Sequence, residues 1–188
     1  MEFFEFERTP RGIAAFVFGL VAVTVYLLGY LQKRRGAIIA LNFSARILYV
    51  LQYLLLGAFS GAVLDVAGAT ASVFAGKKET AFVKKHRILF ILAANLLIVG
   101  LGLLVYRQPI DLLPILAVLL HTGAFWLNNE KWIRIVSLIG CPPWFLYNLL
   151  SGAIGSTIGD VLSFLFLLFS LFRYDIFGKK RVEDPKNT

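Results

Sequence analysis

The chain has one cysteine, Cys141, and two histidines in 188 residues. A lone cysteine closes no intrachain disulfide, and with two histidines in separate segments it builds no typical zinc site. Charge is scarce as well. Only 16% of the residues are charged, against about 25% in an ordinary soluble domain. There is no Gly-x-Ser-x-Gly elbow, no His-Glu-x-x-His pair and no phosphate-cradling glycine loop. Enzyme chemistry therefore finds no foothold, and no cofactor or metal is expected. A secretory leader is not expected either, because the first residues (Glu2, Glu5, Glu7) are acidic where such a leader is basic. Position 2 is glutamate where myristoylation needs glycine, and the carboxyl end carries no prenylation box.

What the chain does have is apolar surface. It is 59% hydrophobic with a mean hydropathy of +0.77, too much for one water-facing core of ordinary size. Disorder, collagen and coiled coil are excluded by the same figures, and an all-α integral membrane protein is expected. The net charge of +8 does not point to nucleic acid, because the cations sit between apolar runs, where they set topology.

A membrane-crossing helix needs about 20 apolar residues. The runs 11–31, 37–57, 59–76, 88–106, 111–127, 132–150 and a last one ending near Arg173 predict seven crossings. Gly57, Ser60 and Gly61 turn the second into the third, and Ser151-Gly152 turns the sixth into the seventh. Of the 19 lysines and arginines, Arg8, Arg11 and Arg107 fall on one side and Arg46 within a span. The remainder, including Lys33-Arg34-Arg35, Lys77, Lys78, Lys84, Lys85 and Arg87, fall on the other side. The positive-inside rule then places the amino end outside and the carboxyl end in the cytoplasm.

The chain also repeats itself. Residues 49–58, Tyr-Val-Leu-Gln-Tyr-Leu-Leu-Leu-Gly-Ala, match residues 144–153, Trp-Phe-Leu-Tyr-Asn-Leu-Leu-Ser-Gly-Ala. At the same offset Asp65-Val66 falls on Asp160-Val161. The expected organisation is an outside segment 1–10, a three-helix repeat 11–76, a basic loop and linker helix 77–106, a second three-helix repeat 107–173 and a cytoplasmic tail 174–188. Both repeats start outside, so they are parallel, an arrangement found among transporters with the substrate near the midplane.

The run Pro142-Pro143-Trp144-Phe145-Leu146-Tyr147-Asn148, with Gly152-Ala153-Ile154-Gly155 and Asp160 after it, resembles the bacterial YgjV inner-membrane family. Leu112-Leu113-Pro114 and the hairpin from Gln52 to Gly57 carry the same likeness, which extends over essentially the whole chain. It implies a bacterial inner (plasma) membrane location. The three-one-three layout is similar to that of the SWEET and PQ-loop transporters, whose members move sugars, amino acids or vitamins. SWEET proteins place prolines in both repeats. Here Pro114, Pro142 and Pro143 are hinge candidates in the second repeat, while Gly19, Ile47 and Leu48 stand at the matching first-repeat positions.

Polar residues within spans are costly and are the functional candidates. Arg46 lies roughly 16 Å below the Gly57 turn, near the midplane, and His121 reaches a similar depth. Either Arg46 faces a central cavity and binds an anionic solute, or it pairs with Asp65 or Asp160 for helix packing. The two aspartates, matched by the repeat, are candidates for a gate or an ion-coupling site, or they hydrogen-bond a neighbouring helix. His121 is a solute or proton contact, or a packed hydrogen bonder. Gln52, Trp144, Tyr147 and Asn148 form a pocket set of ring faces and amides suited to a neutral polar ligand. Hydrogen bonding between helices is the other role open to them. Asn42 and Asn95 lie nearer the inner half. The small residues Ser151, Gly155, Gly159 and Ser163 at four-residue spacing serve close helix approach.

The function this supports is a small-solute transporter with a polar site between the repeats. The alternative is a non-transporting scaffold or assembly subunit that packs through its helices. The partners implied are the lipid bilayer and a small polar solute, with a homo-oligomer left open and nucleic acid not expected.

Overall fold

A computed structural model describes residues 9–30 and 35–176, apart from the side chains at 29, 30, 35–39, 42 and 130. The segment before Thr9, Lys33-Arg34, the basic tail after Ile176 and the Asn42 side chain, all used above, lie outside the described residues.

Every described element is helical, as hydrocarbon demands of a chain that must satisfy its own backbone. The order is α1 (Pro10–Tyr30), α2 (Arg35–Leu56), α3 (Phe59–Gly76), a short α4 (Ala81–Lys85) and α5 (Arg87–Leu104). A 3-10 turn (Pro109–Asp111) then leads into α6 (Leu112–Phe125), α7 (Glu130–Leu150) and α8 (Ile154–Ser170). The last helix runs on as a π-helical segment, Leu171–Ile176. The basic loop expected after the third run therefore contains a helical turn of its own.

Among the described residues five stretches are long and apolar enough to cross a membrane: Pro10–Leu28, Phe59–Gly76, Arg87–Leu104, Lys131–Leu150 and Ile154–Ile176. The other two expected crossings have shorter apolar runs, Phe43–Leu56 and Pro109–Phe125. In α6 the helix itself ends at Phe125.

The helices close into a ring. α1 packs on α2, α2 on α3, α3 on α6, α6 on α7, α7 on α8, and α8 returns to α1. α5 stands outside this ring against α3 and α6. Burial follows composition. α3, built largely of glycine, alanine and serine, has 56% of its length buried, against 11% for the leucine-rich α5. Small residues let backbones approach where a bulky side chain would hold them apart. At Gly155 an added Cβ would lie 2.9 Å from Gly19 Cα, so the α1–α8 contact depends on both glycines.

The α2–α3 and α7–α8 turns are copies of one another. Gly57 and Gly152 have φ of 72° and 73°. Each stands at the C′ position of a Schellman motif. Ala58 N–H donates to the Tyr53 carbonyl at 2.9 Å and Ala153 N–H to the Asn148 carbonyl at 2.8 Å. A left-handed residue is needed to reverse the chain this tightly, and only glycine takes it without a Cβ clash. At the opposite end of the bundle, Lys78 Nζ donates to the carbonyls of Phe125 and Leu127, and Arg87 to that of Trp126. These cations cap the carboxyl end of α6, where the helix dipole favours them.

Candidate functional site

One cavity of about 70 Å³ is lined from all six helices of the ring. Its wall consists of residues that correspond between the two halves at the repeat offset: Tyr26 with His121, Arg46 with Cys141, Tyr49 with Trp144, Tyr53 with Asn148, and Asp65 with Asp160. Ser156 and Ser163 complete it, standing where the first half has Gly61 and Gly68.

The two aspartates have different partners. Arg46 Nη1 donates to Asp65 Oδ1 at 2.6 Å, and Asp65 is only 4% exposed. A buried carboxylate beside a guanidinium is compensated, whereas the same carboxylate alone would be strongly destabilising. Gly68 leaves the space for this pair, since a Cβ there would lie 2.9 Å from Arg46 Nη1. Asp160 instead accepts from the Asn148 amide, Nδ2 to Oδ2 at 2.6 Å. Asn148 is itself held by Tyr53, whose hydroxyl donates to Oδ1 at 2.8 Å. This bond joins residues 95 positions apart, the repeat offset itself. Tyr53 also stacks on Trp144, with ring centroids 6.1 Å apart and planes 8° from parallel.

His121 lines the cavity as well. Its Nδ1 lies 2.9 Å from the Ala117 carbonyl, which can only accept, so Nδ1 carries the proton. Gln52 and Tyr147 lie outside the cavity, though both belong to the expected pocket set. Gln52 is fully buried and its Oε1 accepts from Ser156 Oγ. Among the described residues its Nε2 has no hydrogen-bond partner, and it lies where a Cβ on Gly19 would reach. Tyr147, the repeat equivalent of Gln52, makes the corresponding contact on the other side: its Oη accepts from Gly61 N–H at 2.8 Å. Gly61 is the counterpart of Ser156, and a Cβ on it would lie 2.7 Å from Tyr147 Cε1. The same offset thus places each of these α2 and α7 side chains against the opposite hairpin.

Tyr147 also bounds a second cavity, of about 370 Å³, at the hairpin end of the bundle. There Asp111, 5% exposed, accepts from the backbone N–H groups of Arg107 and Gln108 and from Ser60 Oγ at 2.6 Å. Ser60 has one proton and gives it to the carboxylate, so the Tyr147 hydroxyl donates to Ser60 over 2.8 Å. The Tyr147 ring packs edge-on against Trp144 and Tyr53, both of which line the inner cavity. One aromatic layer therefore separates the hairpin-end cavity from the central one.

Among the proline candidates, Pro114 is buried in the first turn of α6. Pro142 and Pro143 lie inside α7 without ending it. Each lacks the N–H that would meet the carbonyl four residues earlier, on Leu138 and Ile139. Among the described residues, no three histidine, cysteine, aspartate or glutamate side chains come together to hold a metal ion. Tyr26, Tyr49, Tyr53, Cys141 and Asp111 were not singled out from the sequence. The repeat offset was the available signal for Tyr26, Tyr49 and Tyr53, since each is the mate of a singled-out residue. Asp111 carried no such signal.

The family model of the bacterial inner membrane protein Imp-YgjV matches residues 13–176, and the chain belongs to that family. It is a multi-pass protein of the bacterial inner membrane. No curated protein and no solved structure matches it, so the SWEET-like likeness draws no support from either.

Proposed function

We propose that this protein is a small-solute transporter, without an enzymatic step, whose polar site is the cavity between two parallel three-helix repeats, α1–α3 and α6–α8, joined by α5. The observation that carries this reading is the cavity wall, to which all six repeat helices contribute and in which matched residues face one another. A site at the interface of two repeats is where rocking of one against the other exposes a solute first to one side and then to the other. A scaffold that only packed its helices would gain most by filling this space with leucine and phenylalanine.

Seven crossings are supported by length. α2 has 22 residues, about 33 Å at the helical rise, and is long enough to cross. Pro109–Phe125 reaches about 26 Å and meets thinner bilayer by modest adjustment. With seven crossings the basic segments alternate correctly for an outside amino end and a cytoplasmic carboxyl end.

The test is reconstitution. Purified protein is screened by thermal shift against small polar metabolites, and the solutes that stabilise it are assayed for uptake in proteoliposomes. Uptake of at least one solute, lost in Asp160→Asn, is expected. If no solute is carried, the transporter reading fails and the scaffold reading takes its place.

A further inference from the structure

We infer that the central cavity takes a small ammonium-type cation, ammonium itself or a short alkylamine, with the Asp160 carboxylate as its counter-charge. This rests on the transporter reading and names the solute class for that same site.

Three observations carry it. The first is charge. Two aspartates and one arginine line the wall, and the arginine is committed to Asp65 at 2.6 Å. Among the described residues Asp160 has the neutral Asn148 amide as its hydrogen-bond partner and no salt bridge. The position equivalent to Arg46 on its side is Cys141. The wall is thus short of one positive charge, and a monocation completes it. Ionised carboxylates in the hydrocarbon region are stable only when paired or hydrated.

The second is size. The cavity is small, about 70 Å³. That space suits a solute as small as ammonium or methylammonium.

The third is the kind of cation. A divalent metal ion is held best by several carboxylate, imidazole or thiolate ligands, and among the described residues no three histidine, cysteine, aspartate or glutamate side chains come together to hold one. Aromatic rings are abundant instead: Tyr26, Tyr49, Tyr53 and Trp144 all reach the cavity. Rings with a single carboxylate suit an ammonium group, which gains from π-faces and needs few donors.

Cys141, the one cysteine of the chain, lines this cavity and serves as a built-in reporter. Full-length protein in proteoliposomes is treated with 2-aminoethyl methanethiosulfonate, which is cationic, or the anionic 2-sulfonatoethyl reagent. Each rate is normalised to its reaction with a free thiol. The cationic reagent should modify Cys141 at least about tenfold faster, since a nearby uncompensated carboxylate attracts one and repels the other. Asp160→Asn should remove that preference. In the wild type, which needs no variant to fold, methylammonium chloride should slow the modification while equal sodium chloride should not. Equal rates, a faster anionic reagent, a preference that survives in Asp160→Asn, or equal protection by sodium would each overturn the inference. The transporter reading would still stand in those cases, because Cys141 would have been reached from water. If Cys141 reacts with neither reagent until the protein is denatured, the cavity is closed to solvent and both readings fall.

Discussion

Tyr53 and Asn148, equivalent residues of the two halves, hydrogen-bond to each other across the centre of the bundle at 2.8 Å. The chemistry at this point is unequal although the positions are equivalent. The tyrosine donates, and the asparagine accepts on its oxygen while its amide nitrogen donates to Asp160. One aspartate of the cavity, Asp160, has this amide as its partner, and the other, Asp65, has the Arg46 guanidinium.

Removing the relay should cost stability in two unequal steps. Tyr53→Phe deletes one neutral hydrogen bond and should lower stability by about 1 kcal/mol. Asn148→Leu also strips the buried Asp160 of its donor, and should cost about 2–3 kcal/mol. Thermal unfolding in detergent, followed by tryptophan fluorescence, checks the order. Equal losses would mean that Asp160 does not depend on Asn148.

Arg46→Met should lower expression and melting temperature sharply, with an expected cost of about 3–5 kcal/mol, because it leaves Asp65 buried without a counter-charge. Arg46→Met combined with Asp65→Leu should recover most of the loss, since the charge and its partner are removed together. The comparison is a double-mutant cycle on monodisperse yield and melting temperature. A single Arg46→Met variant that folds normally but loses solute binding would move Arg46 from packing to the solute site.

Gly57→Ala and Gly152→Ala should be similarly harmful, each by about 1–2 kcal/mol, since both residues hold the same left-handed φ. Gly61→Ala should be harmful for a different reason. Its backbone is helical, and the new Cβ would collide with the Tyr147 ring. Tyr147→Ala should therefore relieve Gly61→Ala while leaving Gly57→Ala unrelieved, as read by melting temperature of the double variants.

Orientation is checked with single cysteines placed in a Cys141→Ala background. A cysteine at Gln108 should label from outside intact cells with a membrane-impermeant maleimide, and one at Glu79 should label only after the membrane is opened. The reverse pattern would invert the topology and with it the side on which the Tyr147 layer faces.

Much of this protein was legible without coordinates. The apolar runs, their turn glycines and the basic loops report on the solvent, because hydrocarbon excludes unpaired backbone and cations label one face of the membrane. The matching turns were readable too, in the Gly-Ala pairs, and both glycines take the left-handed conformation. That Arg46 needed a partner also followed from its depth. What the linear pattern could not decide was which acid it meets, since Asp65 and Asp160 stand at equivalent heights. The choice is made by neighbouring helices: Gly68 opens room for the guanidinium beside Asp65, and Asn148 occupies Asp160. Gln52 and Tyr147 show the same limit. Their residue types suit a pocket, but their directions are set by which way α2 and α7 rotate against the opposite hairpin, and that rotation turns both of them away from the cavity. Asp111 lay in plain view at the start of a span, yet its contact with the hairpin serine at position 60 appears only in the fold. Composition determined the solvent and the periodicity determined the helices. Facing, pairing and cavity shape were decided by close contacts between segments far apart in the chain.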